Sequence, residues 1–295
     1  MKKKNKAIYL LFLMPFVYFA TACFVVWLVK TSGIYPSGSD TMYHVYRGDY
    51  VYNAIKLGNW YPLYDPAWYN GVEILRYWSP FPAYVMAFCQ YLAGGSQFGA
   101  YLFYIGGVCF LGACVWPFIG RGFNRPYLGA FIGLLWFFMP NNLCAIFIEG
   151  NLARSLSMIF LPVFIYSVYK YLYNHKLRYI PLMVFTFLLM ELCHLGYAGM
   201  VAIAVIIYGI VYIIQKGRKK AVLDVVISMI FGFMLLGIWL VASLRGGITS
   251  LDNSENMANF FQNLWTTINP FERLTRGFEY FYFGFATLVV IVFGI

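Results

Sequence analysis

Apolar runs of membrane-spanning length recur along this chain, at 7–29, 99–119, 127–143, 155–173, 179–194, 197–215, 221–243 and 279–295. A bilayer core is crossed by about 20 apolar helical residues, somewhat fewer where neighbouring helices shield the span. Backbone polar groups inside lipid must be satisfied internally, so a span of this kind is a helix. With 62% hydrophobic and 11% charged residues, the chain falls far below the charge of a soluble domain, about a quarter. The expected fold is an all-α polytopic membrane protein with about eight transmembrane helices, one transmembrane domain over 1–295.

The formal charge of +10 suggests nucleic acid only until its placement is considered. Short cytoplasmic loops carry Lys and Arg. A ninth apolar stretch, 80–94, opens with Pro80 and Pro82 and is better suited to lying in the interface than to crossing. If it does not cross, 13 of the 21 basic residues fall inside: the four N-terminal lysines and the turns around Arg121, Lys176 and Arg218. Ten of the 11 acidic residues then fall on or near the outer face, Asp224 being the exception. If 80–94 crossed, every later loop would invert and nine basic residues would move outside. The charges therefore place the protein in the cell membrane as a multi-pass protein with its N-terminus cytoplasmic, and no nucleic acid is expected as a partner.

Run 7–29 follows a basic cluster and contains Ala20-Thr21-Ala22, yet its 23 apolar residues outlast a signal-peptide core, so it is expected to be an uncleaved first span. Run 279–295 stops inside an apolar stretch, from which the chain is expected to be the N-terminal part of a longer protein. Two outer segments remain, a first loop over 31–97 with interfacial helices and a second over 244–278. In the first, Ser39 or Asp40 is a plausible cap, helical spacing runs through Tyr43, Tyr46, Tyr50 and Ala54, and Gly58 stops the helix. Residues 59–79 hold Pro62, Pro66, Gly71 and seven Tyr or Trp, the composition of an irregular aromatic lid. The six cysteines show no CxxC or metal-type spacing and read as buried apolar filler.

Asp40, His44 and Arg47 fall at i, i+4 and i+7, so one helix face carries a carboxylate, an imidazole and a guanidinium. The competing reading is a solvated charged face. Glu149, Asn151 and Arg154 follow the Pro140-Asn141-Asn142 break in the next outer turn, and Glu191 and His194 end a later span. Ionisable groups at such depths are costly unless they face protein or water, and their arrival from three chain regions is what a site in a bundle requires. Arg245, Arg273 and Arg276 bracket the second outer loop, where a lipid phosphate or simple headgroup contacts would use them.

Ser39-Asp40-Thr41-Met42-Tyr43-His44, Leu57-Gly58-Asn59-Trp60-Tyr61-Pro62, Asn70-Gly71 and Tyr77-Trp78-Ser79-Pro80-Phe81 resemble the first outer loop of GT-C superfamily membrane glycosyltransferases. The likeness is greatest to bacterial membrane proteins labelled 6-pyruvoyl-tetrahydropterin synthase-related, and Glu149-Gly150-Asn151 and His194-Leu195-Gly196-Tyr197 are similar to later segments of that group. The resemblance implies a GT-C-like fold and inverting transfer of a sugar from a polyprenyl-phosphate donor to a glycan, lipid or protein acceptor at the outer face. It implies Asp40 as base or metal ligand and Glu149 as the second acidic position, with Mg or Mn as the divalent cation if one is used. The group's acidic pair is replaced here by Asp40-Thr41.

The expected catalytic residues are thus Asp40, His44 and Glu149, with Asp40 and Glu149 as metal ligands if a cation binds. Arg47, Asn151, Arg154, His194, Arg245 and Arg276 are expected to bind substrate, and membrane lipids are expected partners. The alternative is a transporter, flippase or non-catalytic assembly protein. It would use broken helices and buried charge, for which Gly106-Gly107, Pro140, Pro162 and Asp224 are the candidates.

Overall fold

The computed structural model describes residues 2–36, 38–68, 71–76 and 78–245. The chain is all-helical there. Helix α1 (Lys2–Ser32) is followed by α2 (Thr41–Lys56), an irregular segment, and α3 (Phe81–Leu92). Next come α4 (Gln97–Gly122), α5 (Pro126–Leu135), a 3-10 turn, α6 (Pro140–Leu143) and a π-helical turn over Cys144–Ile148. Helices α7 (Leu152–Asn174), α8 (Tyr179–Cys193), α9 (Leu195–Lys216), α10 (Lys219–Leu235) and α11 (Gly237–Arg245) complete the described chain.

Among the described residues five helices are long and apolar enough to cross a membrane: Phe12–Ser32, Gln97–Gly122, Pro126–Ile148, Leu152–Asn174 and Leu195–Lys216. Helices α10 and α11 meet at a 64° bend and would make a sixth if they form one span. Of the roughly eight expected spans, five or six are thus met among the described residues. Run 179–194 is only the 15-residue α8, about 22 Å at 1.5 Å per residue. Run 221–243 is bent, and run 279–295 lies outside the described residues with most of the second outer loop. Stretch 80–94 becomes α3, whose 12 residues are too few to cross, with Pro82 in its first turn where a missing N–H costs nothing.

Helix α7 is the pillar of the bundle, with 67% of its span buried against 17–44% for the other four. Ser155, Ser157 and Ser167 are buried along it without loose polar ends, because their hydroxyls donate to the carbonyls of Leu152, Met190 and Phe164. One apolar core packs α1, α4 and the Pro126–Ile148 span on α7, and a second packs α8, α9 and α10 on its other half.

The basic turns meet at one end. There Lys170 donates to the Gly122 carbonyl at 2.5 Å, Arg218 touches His175, and Tyr171 donates to Asp224. The opposite end gathers the close of α1, helices α2 and α3, the π turn, the starts of α7 and α9, and α11. Trp239 of α11 donates to Leu75, and Arg76 donates to Ala242.

Helix α2 has the expected boundaries, with Gly58 at φ +83 after its end. Asp40 takes the N-cap position but makes no side-chain capping bond. The lid is held by tyrosines: Tyr46 bonds the Asp65 carboxylate, Tyr50 the Tyr64 carbonyl and Tyr84 the Trp60 carbonyl. All six cysteines are free, but Cys23 is exposed and Cys144 bonds Glu149, so two of them depart from apolar filler.

Candidate functional site

The polar cluster at the lid end is built by two loops pressed backbone to backbone. The Asp40 amide donates to the Glu149 carbonyl at 3.0 Å, and the Ser39 hydroxyl donates to the same oxygen at 3.0 Å. Gly38 and Gly150 permit this approach. A Cβ on Gly38 would lie 2.5 Å from the Gly150 nitrogen, and one on Gly150 would lie 2.2 Å from Thr41 Oγ1. Gly150 also has φ +66, open to glycine at little cost.

Residue 149 follows the π turn, a helix defect that re-aims what comes after it. The Glu149 carboxylate pairs with Arg154 at 2.8 Å and accepts from Cys144 Sγ at 3.4 Å. The Arg154 side chain is 8% exposed and that of Glu149 is 25%, so the pair is more sheltered than a surface ion pair, and removing one partner has a real cost. Asn151 caps α7 by accepting from the Arg154 amide at 3.0 Å. His194 is the single extended residue between α8 and α9, and its Nδ1 accepts from the Tyr197 amide at 3.0 Å. Asn151 Nδ2 and His194 Nε2 face each other at 3.4 Å.

His44 and Arg47 are 6% and 1% exposed, so the face they share on α2 is buried and the solvated-face reading fails. Burial, then the Arg47 charge, then His194 push the His44 imidazole down to about 3, leaving it neutral at physiological pH. Burial, then Arg154, also hold His194 below the usual range, against the opposing pull of Asp40 and Glu149. Arg47 donates to the Trp78 carbonyl at 3.1 Å and lies 5.4 Å from the Tyr43 ring centroid. Buried and turned to the backbone carbonyls of Trp78 and Ser79, this guanidinium ties α2 to the 78–79 segment.

Asp40, His44, Glu149, Asn151, Arg154 and His194 are thus gathered at one end of the bundle, bordered by Tyr43, whose ring centroid lies 4.9 Å from that of Trp68 and 5.7 Å from that of Trp78. The Arg245 side chain and Arg276 lie outside the described residues. Four contributors escaped sequence reasoning: Thr41, Ser79, Cys144 and Tyr197. Ser79 donates to the Glu191 carbonyl at 2.9 Å, joining the lid to α8. None of the four has a signal in spacing or charge: Cys144 meets the Glu149 carboxylate side chain to side chain, and the other three act through backbone contacts.

The donor set does not fit a resident divalent cation. Among the described residues no three His, Cys, Asp or Glu side chains gather as ligands, and the Glu149 carboxylate is already paired with Arg154. A hard cation prefers six or more oxygens, with carboxylates free to turn toward it.

The fold and this cluster define a helical multi-pass membrane protein with a partly buried polar site at one end of its bundle. The chain matches the model of the 6-pyruvoyl-tetrahydropterin synthase related domain, described as a membrane protein, over residues 75–295. It belongs to that family. The match takes in Glu149, Asn151, Arg154 and His194, whereas Asp40, His44 and Arg47 precede it. Comparisons with curated proteins and with solved structures gave no match.

Proposed function

We propose that this chain is a membrane glycosyltransferase of GT-C type, moving a sugar from a polyprenyl-phosphate donor to an acceptor at the non-cytoplasmic face. The observation that carries this reading is the direct backbone bond between Asp40 and Glu149, which puts the acidic residues of two separate loops beside His44, Asn151, Arg154 and His194. In this mechanism the Asp40 carboxylate takes the proton of an acceptor hydroxyl as its oxygen bonds to the anomeric carbon. The bond from that carbon to the donor phosphate oxygen breaks, and the phosphate leaves with the electron pair. Arg154 offsets the leaving charge, and the aromatic lid excludes water and offers stacking faces. The basic turns face the cytoplasm in this reading, and the site faces outward.

Purified protein incubated with labelled polyprenyl-phosphate sugars, with and without chelator, tests the proposal. Asp40→Asn keeps the size and removes the base, so transfer should vanish while the variant still inserts and folds. Wild-type transfer by that variant would remove Asp40 from the chemistry.

A transporter, flippase or assembly role has two features in its favour, the 64° bend between α10 and α11 and the 3-10 and π turns that flank Pro140. Its other candidates give it little. Gly106, Gly107 and Pro162 lie within unbroken helices, and Asp224 is bonded by Tyr171 beside the basic end.

A further inference from the structure

Asn151 and His194 are N-caps of the two helices that start at the site, and capping fixes their polarity. The Asn151 Oδ1 accepts from the Arg154 amide at 3.0 Å, so the amide nitrogen Nδ2 must face the other way. The His194 Nδ1 accepts from the Tyr197 amide at 3.0 Å, so in a neutral ring the proton sits on Nε2. The two outward atoms, Nδ2 and Nε2, are 3.4 Å apart and both are donors. They cannot bond each other.

Two donors held nose to nose by their own helix caps call for a shared acceptor. The surroundings suit one with negative charge. Arg154 lies close enough to act on His194, the Asp40 and Glu149 carboxylates act on it in the opposite sense, and the N-termini of α7 and α9 add partial positive charge. A third donor stands beside the same loop. The hydroxyl of Thr41, 0% exposed and with no hydrogen-bond partner among the described residues, abuts Gly150, one residue before Asn151. The charges of Glu149 and Arg154 offset each other in their pair, which leaves the helix N-termini and these donors to meet an anion.

We infer that the His194 Nε2–H and the Asn151 Nδ2–H converge on one oxygen of a phosphate group, making this half of the site a phosphate clamp and leaving Asp40 to face the hydroxyl partner. The inference rests on the glycosyltransferase reading only for the origin of that phosphate, a lipid headgroup or a free phosphate. The clamp itself is independent of transfer.

The test is equilibrium binding to purified full-length protein in phosphatidylcholine nanodiscs, with three probes: long-chain polyprenyl phosphate, the corresponding polyprenol, and inorganic phosphate. The expected result is that polyprenyl phosphate binds at least tenfold more tightly than the polyprenol, the size of effect set by charge-assisted hydrogen bonds. Competition by inorganic phosphate makes the phosphate alone the recognised group, whereas its failure to compete, with polyprenyl phosphate bound, makes the lipid the source. Either result supports the clamp. Asn151→Asp keeps an excellent cap but replaces the donor by a carboxylate, so the thermal midpoint should hold while polyprenyl phosphate binding falls at least tenfold. His194→Asn, also a good cap, should act in the same direction. On the wild type, nitrogen NMR of labelled histidine should show the His194 proton on Nε2.

A proton on Nδ1, equal binding of polyprenol and polyprenyl phosphate, or full-strength binding by folded Asn151→Asp would each overturn the inference. No sugar is needed in these measurements. Intact binding without transfer would therefore retire the glycosyltransferase reading alone, and transfer with full-strength binding by Asn151→Asp would retire the clamp alone.

Discussion

Replacing Gly150 by alanine tests whether the two site loops are locked by contact, and Gly33→Ala supplies the control. The two glycines have nearly the same backbone, φ +66 and φ +69. Alanine in this left-handed region costs roughly 1–2 kcal/mol, a term common to both variants. Their surroundings differ. Nothing lies within 4 Å of a Cβ on Gly33, whereas a Cβ on Gly150 meets Thr41 Oγ1 at 2.2 Å, the Thr41 nitrogen at 2.6 Å and the Gly38 Cα at 3.1 Å. Two of those three atoms are backbone and can yield only by parting the loops. Overpacking of that kind costs about 1–3 kcal/mol, and losing the bond from Asp40 to Glu149 adds about 1. Gly33→Ala should therefore cost about 1–2 kcal/mol and Gly150→Ala about 3–6, read as thermal midpoints in nanodiscs. Equal shifts for the two variants would show that the loops are not in contact.

The pair of Glu149 and Arg154 should behave as a half-sheltered one. A cycle of Glu149→Gln, Arg154→Gln and the double variant should give a coupling energy of about 2 kcal/mol, between surface pairs at under 1 and buried pairs at 3–5, and a value near zero would mark the pair as solvated. Acid should destabilise the fold through His44, whose folded value near 3 lies below the unfolded 6.5. Its neutral form is retained in the folded state, so full stability holds above pH 6.5 and is lost as pH falls from 6.5 toward 3. At pH 5 the loss is about 2 kcal/mol. His194, shifted in the same direction, adds to it. His44→Gln should flatten this slope in a pH series of unfolding measurements, and an unchanged slope would place the acid sensitivity elsewhere.

What the sequence revealed follows from the range of the interactions involved. The helix α2 was legible because its start and its stop at Gly58 are local signals, and the gathering of basic turns at one end follows from counting Lys and Arg between apolar runs. The juxtaposition of Asp40 with Glu149 was expected only as a shared face. Its cause, glycines at 38 and 150 that let backbones touch across more than a hundred residues of chain, has no periodic trace. Arg47 shows the limit of spacing arguments. Its position at i+7 from Asp40 gives the helix face, but its burial depends on where Trp78 and Ser79 return. The bend between α10 and α11 likewise lies where the run is apolar on both sides of it.

Side-specific labelling, with and without ligand, addresses most directly the claim that the polar cluster is a working site at the outer face. Ser39 is exposed and touches both Asp40 and Glu149, so in a Cys23→Ser background a cysteine there reports on the site itself. Ser39→Cys should react with a membrane-impermeant maleimide in intact cells, and polyprenyl phosphate should protect it, whereas Arg218→Cys at the basic end should react only after permeabilisation. Labelling of Ser39→Cys only in permeabilised cells, or labelling that polyprenyl phosphate leaves unchanged, would contradict the account.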